Sequence, residues 1–285
     1  MSKIEKIALI GGGHMGGALA AAWLRGGKRA KVAAENLIVV DPSPGETIQA
    51  LAEKHDFMIS EALSLEQAER ADLVVLAIKV QAADTVAAHL NQVMRDETAL
   101  LSTIAGVSLN RLALAFGDRP IMRAIPNTAS EIGAGVTVCV ANEAGDALEA
   151  EITRLLKGAG SVEWVHDERL IGAVGAVSGA GPAYVFLLAE ALAGAGVAEG
   201  LPRDLAERLA RETIVGAGAL LASSKKSPQE LRRAVTPVGG TTQAALDVLM
   251  GGGGGLPELV RQAVAAAERR SRQLAANSGN GGRER

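Results

Sequence analysis

Short apolar runs recur along the first part of the chain, at Lys6–Ile10, Asn36–Val40, Asp72–Ile78, Ala99–Ile104, Ile121–Ile125, Val136–Ala141 and Val162–Val165. They read as strands. The segments between them read as helices, for example Ala83–Met94 and Asp146–Lys157. Near-continuous apolar strands alternating with helices predict a parallel sheet covered on both faces. After Asp167 the strand signals stop. One helix is predicted with Pro182 in its first turn, running to about Val197. It is apolar almost all round, with Glu190 its only charge, so it must be buried in a core or between subunits. A second starts at Pro202 and Asp204 and places Leu205, Leu209, Thr213, Gly216 and Leu220 on one face. A third spans Pro257 to about Leu274, with Val260, Val264, Ala267 and Ser271 at helical spacing. Gly251–Gly255 reads as a flexible turn, and the Gly/Asn/Arg-rich tail from Asn277 as disordered.

Composition narrows the class. Hydrophobic residues are 48% of the 285, enough for a substantial core, but only 2% are aromatic, so that core is built from Ala, Val, Leu and Ile. A net charge of −3 argues against nucleic acid as the main partner. Cys139 is the only cysteine, which excludes an internal disulfide and fits a reducing compartment. The first apolar run is too short for a signal peptide and is interrupted by Gly11. The longest apolar stretch, from about 170 to Ala198, carries glycines, Pro182 and Glu190. The expectation is a cytoplasmic protein with neither a membrane nor a nucleic-acid partner. His14, His55, His89 and His166 show no paired metal-ligand spacing.

The chemistry begins at Gly11-Gly12-Gly13-His14-Met15-Gly16, between the first strand and a helical segment, Ala18–Leu24. Gly11, Gly13 and Gly16 have the G-x-G-x-x-G spacing. The first glycine makes a tight turn, the second lets backbone approach a pyrophosphate, and the third packs the helix on the strand. The positive end of that helix then faces the phosphates. Asp41 ends the second strand, where a carboxylate accepts hydrogen bonds from the adenosine ribose and repels a 2′-phosphate. On that feature alone NADH is favoured over NADPH. The domain reading is α/β: a Rossmann-type dinucleotide-binding domain over 1–165, an all-helical domain over 166–276 and a tail over 277–285.

Other candidates keep two readings each. Lys79, after an apolar strand, is placed either for phosphate or ribose or as a solvated strand end. Asn127 binds a nicotinamide carboxamide or holds a turn. Arg123 reads as structural. The glycines of Ser178-Gly179-Ala180-Gly181-Pro182-Ala183-Tyr184 admit a flat ring or tight helix packing. In Thr236-Pro237-Val238-Gly239-Gly240-Thr241-Thr242, backbone N–H groups at a helix start make a carboxylate site, or the threonines simply cap the helix.

These segments, in this order, resemble the pyrroline-5-carboxylate reductases from about Lys6 to Leu274. The most specific matches are 178–184, Gly200-Leu201-Pro202, Ser227-Pro228-Gln229-Glu230-Leu231 and Gly239-Gly240-Thr241-Thr242. The resemblance implies a Rossmann domain followed by a helical domain that interlocks into a homodimer, with dimers building larger rings. It implies reduction of 1-pyrroline-5-carboxylate to L-proline by hydride transfer from NADPH or NADH. Gly11, Gly13, His14, Met15 and Gly16 look like the pyrophosphate cradle. Ala77, Ile78, Lys79 and Val80 look like the segment lining the cofactor. Thr103, Ile104 and Ala105 look like the strand end beside the nicotinamide, and Asn127 sits in the family's Pro-Asn-Thr motif. Glu168, Gly239, Gly240, Thr241 and Thr242 match substrate-contacting positions, and Thr242 matches the threonine that hydrogen-bonds the ring nitrogen.

The chain departs from the family pattern at Val80 (usually Pro), Ala129 (Pro), Gly175 (Thr), Ala180 (Ser) and Pro237 (Ser). Pro237 has no N–H and no hydroxyl, so a donor to the substrate carboxylate is lost. That costs about 1.5–3 kcal/mol, roughly tenfold to a hundredfold in binding. Asp41 replaces the small polar residue of NADPH-preferring members, and the family mostly favours NADPH. The alternatives are a reductase for a related cyclic imine or a 3-hydroxy acid, and a catalytically weakened nucleotide-binding homologue. The 3-hydroxy-acid version calls for a lysine within Ala183–Ala198, and there is none.

Overall fold

The strands form one eight-stranded sheet in the order β3-β2-β1-β4-β5-β6-β7-β8. They are β1 (Ile7–Ile10), β2 (Leu37–Val40), β3 (Ile59–Ser60), β4 (Leu73–Leu76), β5 (Ala99–Ser102), β6 (Ile121–Pro126), β7 (Gly135–Ala141) and β8 (Gly160–Trp164). The computed structural model describes residues 4–25 and 32–280, with side chains to Ala275 in the last helix. The chain forms two compact units. One holds everything to Gly179 together with the chain from Glu268 onward, and the other is Ala180–Ala267.

In the first unit the strand order runs 3-2-1-4-5-6, so the topology reverses between β1 and β4, the place where doubly wound sheets bind ligands. The sheet is covered on both faces, as its strands require. Ile7, Leu9, Leu73 and Val75 pack with Leu19 and Trp23 of α1 (His14–Leu24) and with Ile152 and Leu155 of α7 (Glu149–Leu156). Ala8, Ile10, Val74 and Leu76 turn the other way, as alternation demands. They meet Leu90 of α4 (Ala83–Val93) and Leu112 and Phe116 of α5 (Leu109–Phe116). Each fully buried Leu, Ile or Val contributes about 1.5–3 kcal/mol.

Two expectations need correction here, and one strand is new. The sheet is not wholly parallel, because β7 runs antiparallel to β6. Only a short 3-10 turn, Thr128–Ile132, joins them, and a parallel pair needs a crossover of about a dozen residues or more. The helix predicted over Asp146–Lys157 starts later, as α7, and a separate short α6 (Glu143–Asp146) capped by Asn142 precedes it. The two-residue edge strand β3 has no counterpart in the sequence reading. It pairs with β2 through Val39 and Val40.

The second unit is helical, with α9 (Gly181–Ala198), α10 (Arg203–Ser223), α11 (Pro228–Ala234) and α12 (Thr241–Leu249). Pro182 sits in the first turn of α9 as predicted, and α9 has no fully buried residue within this chain. Phe186 and Leu187 are 68% and 64% exposed, so of the two readings of this helix, burial in a core of its own chain is excluded. α11 begins with a complete capping box, Ser227 receiving the Glu230 N–H and Glu230 receiving the Ser227 N–H. The Ser227–Leu231 motif therefore has a structural explanation. The last helix, α13 (Leu256–Asn280), continues through residues expected in a disordered tail from Asn277, and 281–285 lie outside the described residues. The first compact unit runs on past β8 to Gly179. The segment after β8 stays attached there through Glu168, which accepts from the Leu109 N–H.

Cys139 lies fully buried on β7, in the core layer that contains Ala124 and Leu155. Burial pushes its thiol up to about 12, with the charge of Glu149 adding to the effect. The thiolate is the reactive form. Native protein at neutral pH should therefore leave Cys139 unlabelled by a thiol reagent and show one reactive thiol in denaturant. Rapid native labelling would contradict the packing described.

Candidate functional site

The loop after β1 shows why glycine is needed there. Gly11 has φ +104°, in the left-handed region, and a Cβ on it would lie 2.4 Å from the Ala77 carbonyl oxygen. A Cβ on Gly16 would lie 1.9 Å from the Gly11 carbonyl oxygen, so loop and helix touch backbone to backbone. Gly13 meets nothing within 4 Å and leaves its backbone open. It is also the N-cap of α1, with no side-chain cap and no acidic residue in the first turn. The first N–H groups of a helix have no intrahelical partner. Here they face an open, glycine-lined approach and suit a diphosphate. His14 Nε2 lies 2.7 Å from Glu131 Oε1. Met15 is half-buried.

Asp41 does more than the sequence suggested. Its Oδ2 accepts from the Gly12 N–H at 2.5 Å and its Oδ1 from the Ser43 N–H at 2.7 Å. The carboxylate thus fixes the glycine loop against the end of β2. At the end of β4, Ala77 donates its N–H to the Ile10 carbonyl at 2.8 Å. Ile78 and Val80 are half-buried, while Lys79 is exposed and makes no ion pair among the described residues. Beyond β5, Thr103 gives both its N–H (2.9 Å) and its hydroxyl (3.0 Å) to the Leu76 carbonyl. Its hydroxyl is thereby committed to tying β5 to β4. Ile104 is buried and Ala105 exposed. The structure brings these candidates together along adjacent strand ends of β2, β1, β4 and β5. The open helix start, the Cβ-intolerant loop and the ribose-side carboxylate fit a dinucleotide.

Further along the sheet, Asn127 links two backbone segments through its side-chain amide. Its Nδ2 donates to the Ser178 carbonyl at 3.3 Å and its Oδ1 accepts from the Val136 N–H at 3.2 Å. Arg123 is buried on β6 and its Nη1 lies 2.5 Å from Oε1 of Glu168, which also accepts from the Leu109 N–H at 2.7 Å. The Arg123 Nε is buried with no hydrogen-bond partner among the described residues. A cavity of about 530 Å³ opens here, lined by Ala105, Gly106, Arg123, Glu168, Gly172 and Glu268 among others. The resemblance singled out Glu168, and the sequence reading set Arg123 aside as structural. Nothing in the sequence signalled that they form a pair.

In the second unit, Gly240 donates its N–H to the Pro237 carbonyl at 3.1 Å, and Gly239 takes φ +73° within that turn. Gly240 is the N-cap of α12, so Thr241 and Thr242 are its first two residues. No side chain caps this helix, so the reading of the threonines as caps does not hold. The turn leaves leading backbone N–H groups and two hydroxyls at one helix start. That arrangement can hold a carboxylate and hydrogen-bond a ring nitrogen.

Residues 168–274 match the family model for pyrroline-5-carboxylate reductase dimerisation. Residues 6–106 match the model for NADP oxidoreductase, coenzyme F420-dependent. The pyrroline-5-carboxylate reductase of Pseudomonas aeruginosa is 38% identical over 278 residues, covering 96% of this chain and 98% of that protein. The chain belongs to the pyrroline-5-carboxylate reductase family. Among solved structures, a pyrroline-5-carboxylate reductase from Coxiella burnetii matches with a TM-score of 0.87 at 31% identity, over 96% of this chain and 99% of that one. The pyrroline carboxylate reductase of Plasmodium falciparum, solved with NADP bound, matches with a TM-score of 0.79 at 27% identity, over 96% of this chain and 99% of that one.

Membership explains the exposed apolar helices. The continuous helical stretch Glu168–Ala198 is, by length and composition alone, apolar enough to cross a membrane, with a mean hydropathy of 1.6 over an 18-residue window. It falls inside the region matched by the dimerisation model. A second copy of the chain can therefore cover faces such as Phe186 and Leu187, and the subunit-interface reading of α9 follows.

Proposed function

We infer that this chain reduces 1-pyrroline-5-carboxylate to L-proline with NAD(P)H. The observation that carries the reading is family membership across 96% of the chain. The relatives named above carry that activity in their names, and neither the cyclic-imine nor the 3-hydroxy-acid alternative draws support from them. Bound NAD(P)H supplies a hydride to the carbon of the ring C=N, and a proton completes the amine at nitrogen.

The chain's own residues bind and orient. The loop Gly11–Gly16 and the start of α1 hold the diphosphate, and Asp41 holds the adenosine ribose. Ala77–Val80 and Thr103–Ala105 line the nicotinamide side, with Thr103 and Asn127 acting through the backbone they fix. The Gly239–Thr242 backbone takes the substrate carboxylate, and the Thr242 hydroxyl orients the ring nitrogen. A hydroxyl is too weak an acid to be the main proton source, so the imine is protonated beforehand or by water. Glu168, held by Arg123, keeps an acidic group beside the cavity for a cationic ring nitrogen or a bound water. The enzyme works in the cytoplasm as a homodimer or a ring of dimers, with no membrane or nucleic-acid partner. Its domains divide near residues 165 and 276.

Thr242→Ala tests the substrate assignment. Losing one hydrogen bond to a charged group costs about 1.5–3 kcal/mol, so kcat/KM should fall roughly tenfold to a hundredfold. Coenzyme affinity should stay the same. Unchanged turnover would remove Thr242 from the mechanism.

A further inference from the structure

The end of β2 carries information about which coenzyme is chosen. A carboxylate has roughly four lone-pair sites on two oxygens. Asp41 uses one on each oxygen, for the Gly12 and Ser43 N–H groups. Both oxygens keep capacity for a further donor, which suits the paired 2′- and 3′-hydroxyls of a ribose. The same anchoring holds the negative charge in place, so it cannot swing away from a phosphate.

Among the described residues, the segments that follow β2 and β3 add no compensating cation. From Pro42 to Glu53 the chain has no Lys or Arg, and it places Glu46 in the first turn of α2 (Glu46–His55). The basic residues of that helix, Lys54 and His55, are in its last turn, about 12 Å along the axis. The neighbouring edge strand β3 is followed by another acid, Glu61. Lys79 lies at the end of β4, two strand spacings or about 10 Å from the end of β2. A 2′-phosphate brings close to two negative charges and needs cationic partners.

We propose that Asp41 makes this chain select NADH over NADPH. The proposal rests on the coenzyme reading of the glycine loop. It sets the chain apart from the Plasmodium falciparum relative, whose structure holds NADP. Asp41 is then a discriminating residue that serves two ends, anchoring Gly12 and turning away the phosphate.

Calorimetric titration of the full chain with NADH and with NADPH, without substrate, tests it. NADH should bind at least about tenfold more tightly. Asp41→Asn keeps an acceptor oxygen for the Gly12 N–H but removes the charge, and should bring the two affinities within about threefold. Ser43→Arg leaves the Ser43 backbone anchor intact and supplies a cation, so it should strengthen NADPH alone. Equal or tighter NADPH binding by the unaltered chain would overturn the proposal while leaving the coenzyme reading standing. Failure of both coenzymes to bind would overturn both.

Discussion

Gly16→Ala should leave coenzyme binding too weak to measure. The added methyl carbon would sit 1.9 Å from the carbonyl oxygen of Gly11 and 3.0 Å from its carbonyl carbon. Both are backbone atoms, so no side-chain rotation relieves the clash. Either α1 moves off β1 or the loop at Gly11 is displaced. Gly11 is itself confined, with φ +104° and the Ala77 carbonyl on its other side. Overpacking typically costs about 1–3 kcal/mol and occasionally more, and a clash between two backbones lies at the upper end. The damage falls on the N–H groups that would meet the diphosphate, so affinity should drop more than a hundredfold, beyond the fall in thermal stability. Titration with NADH alongside a thermal melt separates the two effects. Gly13→Ala is the control, since a Cβ there meets nothing within 4 Å, and it should fold normally. Full coenzyme affinity in Gly16→Ala would mean that the loop is not the cradle.

Arg123→Leu should lower the melting temperature by roughly 6–20 °C. Removing one member of a buried ion pair costs about 3–5 kcal/mol, because the other charge is left without compensation. In a chain of this size each kcal/mol is about 2–4 °C. The Arg123 side chain is 6% exposed and that of Glu168 28%, so the lower half of the range is expected. Without Arg123, Glu168 keeps only the Leu109 N–H among the described residues. The link between the start of α5 and the segment after β8 weakens with it. The double variant Arg123→Leu, Glu168→Leu should recover part of the lost stability, since replacing a whole buried pair by apolar groups is often close to neutral. It should not recover turnover. A melting temperature unchanged in Arg123→Leu would show that the pair contributes nothing to holding that segment.

The parts of the fold that the sequence shows are those with strong periodicity. α9 was expected from Pro182 to about Val197 and spans Gly181–Ala198, because proline in the first turn and an unbroken apolar run mark both ends. Strand direction left no trace: Val136–Ala141 reads as a buried strand whether parallel or antiparallel, and only the short link before it decides. β3 is two residues long, too short for alternation to register. The glycine loop was legible because its function depends on backbone clearance, which only glycine provides. Asp41 was legible as a strand-end carboxylate, but its bonds to Gly12 and Ser43 depend on two loops meeting in space. The Arg123–Glu168 pair joins residues 45 apart in sequence, and neither lies in a spacing that would flag the other. Thr241 and Thr242 looked most like helix caps because such residues favour that position. The chain instead uses Gly240 as the cap, which leaves both hydroxyls for another purpose.

The central claim is that the chain converts 1-pyrroline-5-carboxylate to L-proline at the expense of reduced coenzyme. The most direct test incubates purified protein with 1-pyrroline-5-carboxylate and NADH or NADPH, and quantifies coenzyme oxidised and L-proline formed in the same sample. The account predicts one L-proline per coenzyme oxidised, with NADH the better donor. Coenzyme that binds but is not oxidised in the presence of this imine, or is oxidised without L-proline appearing, would contradict it.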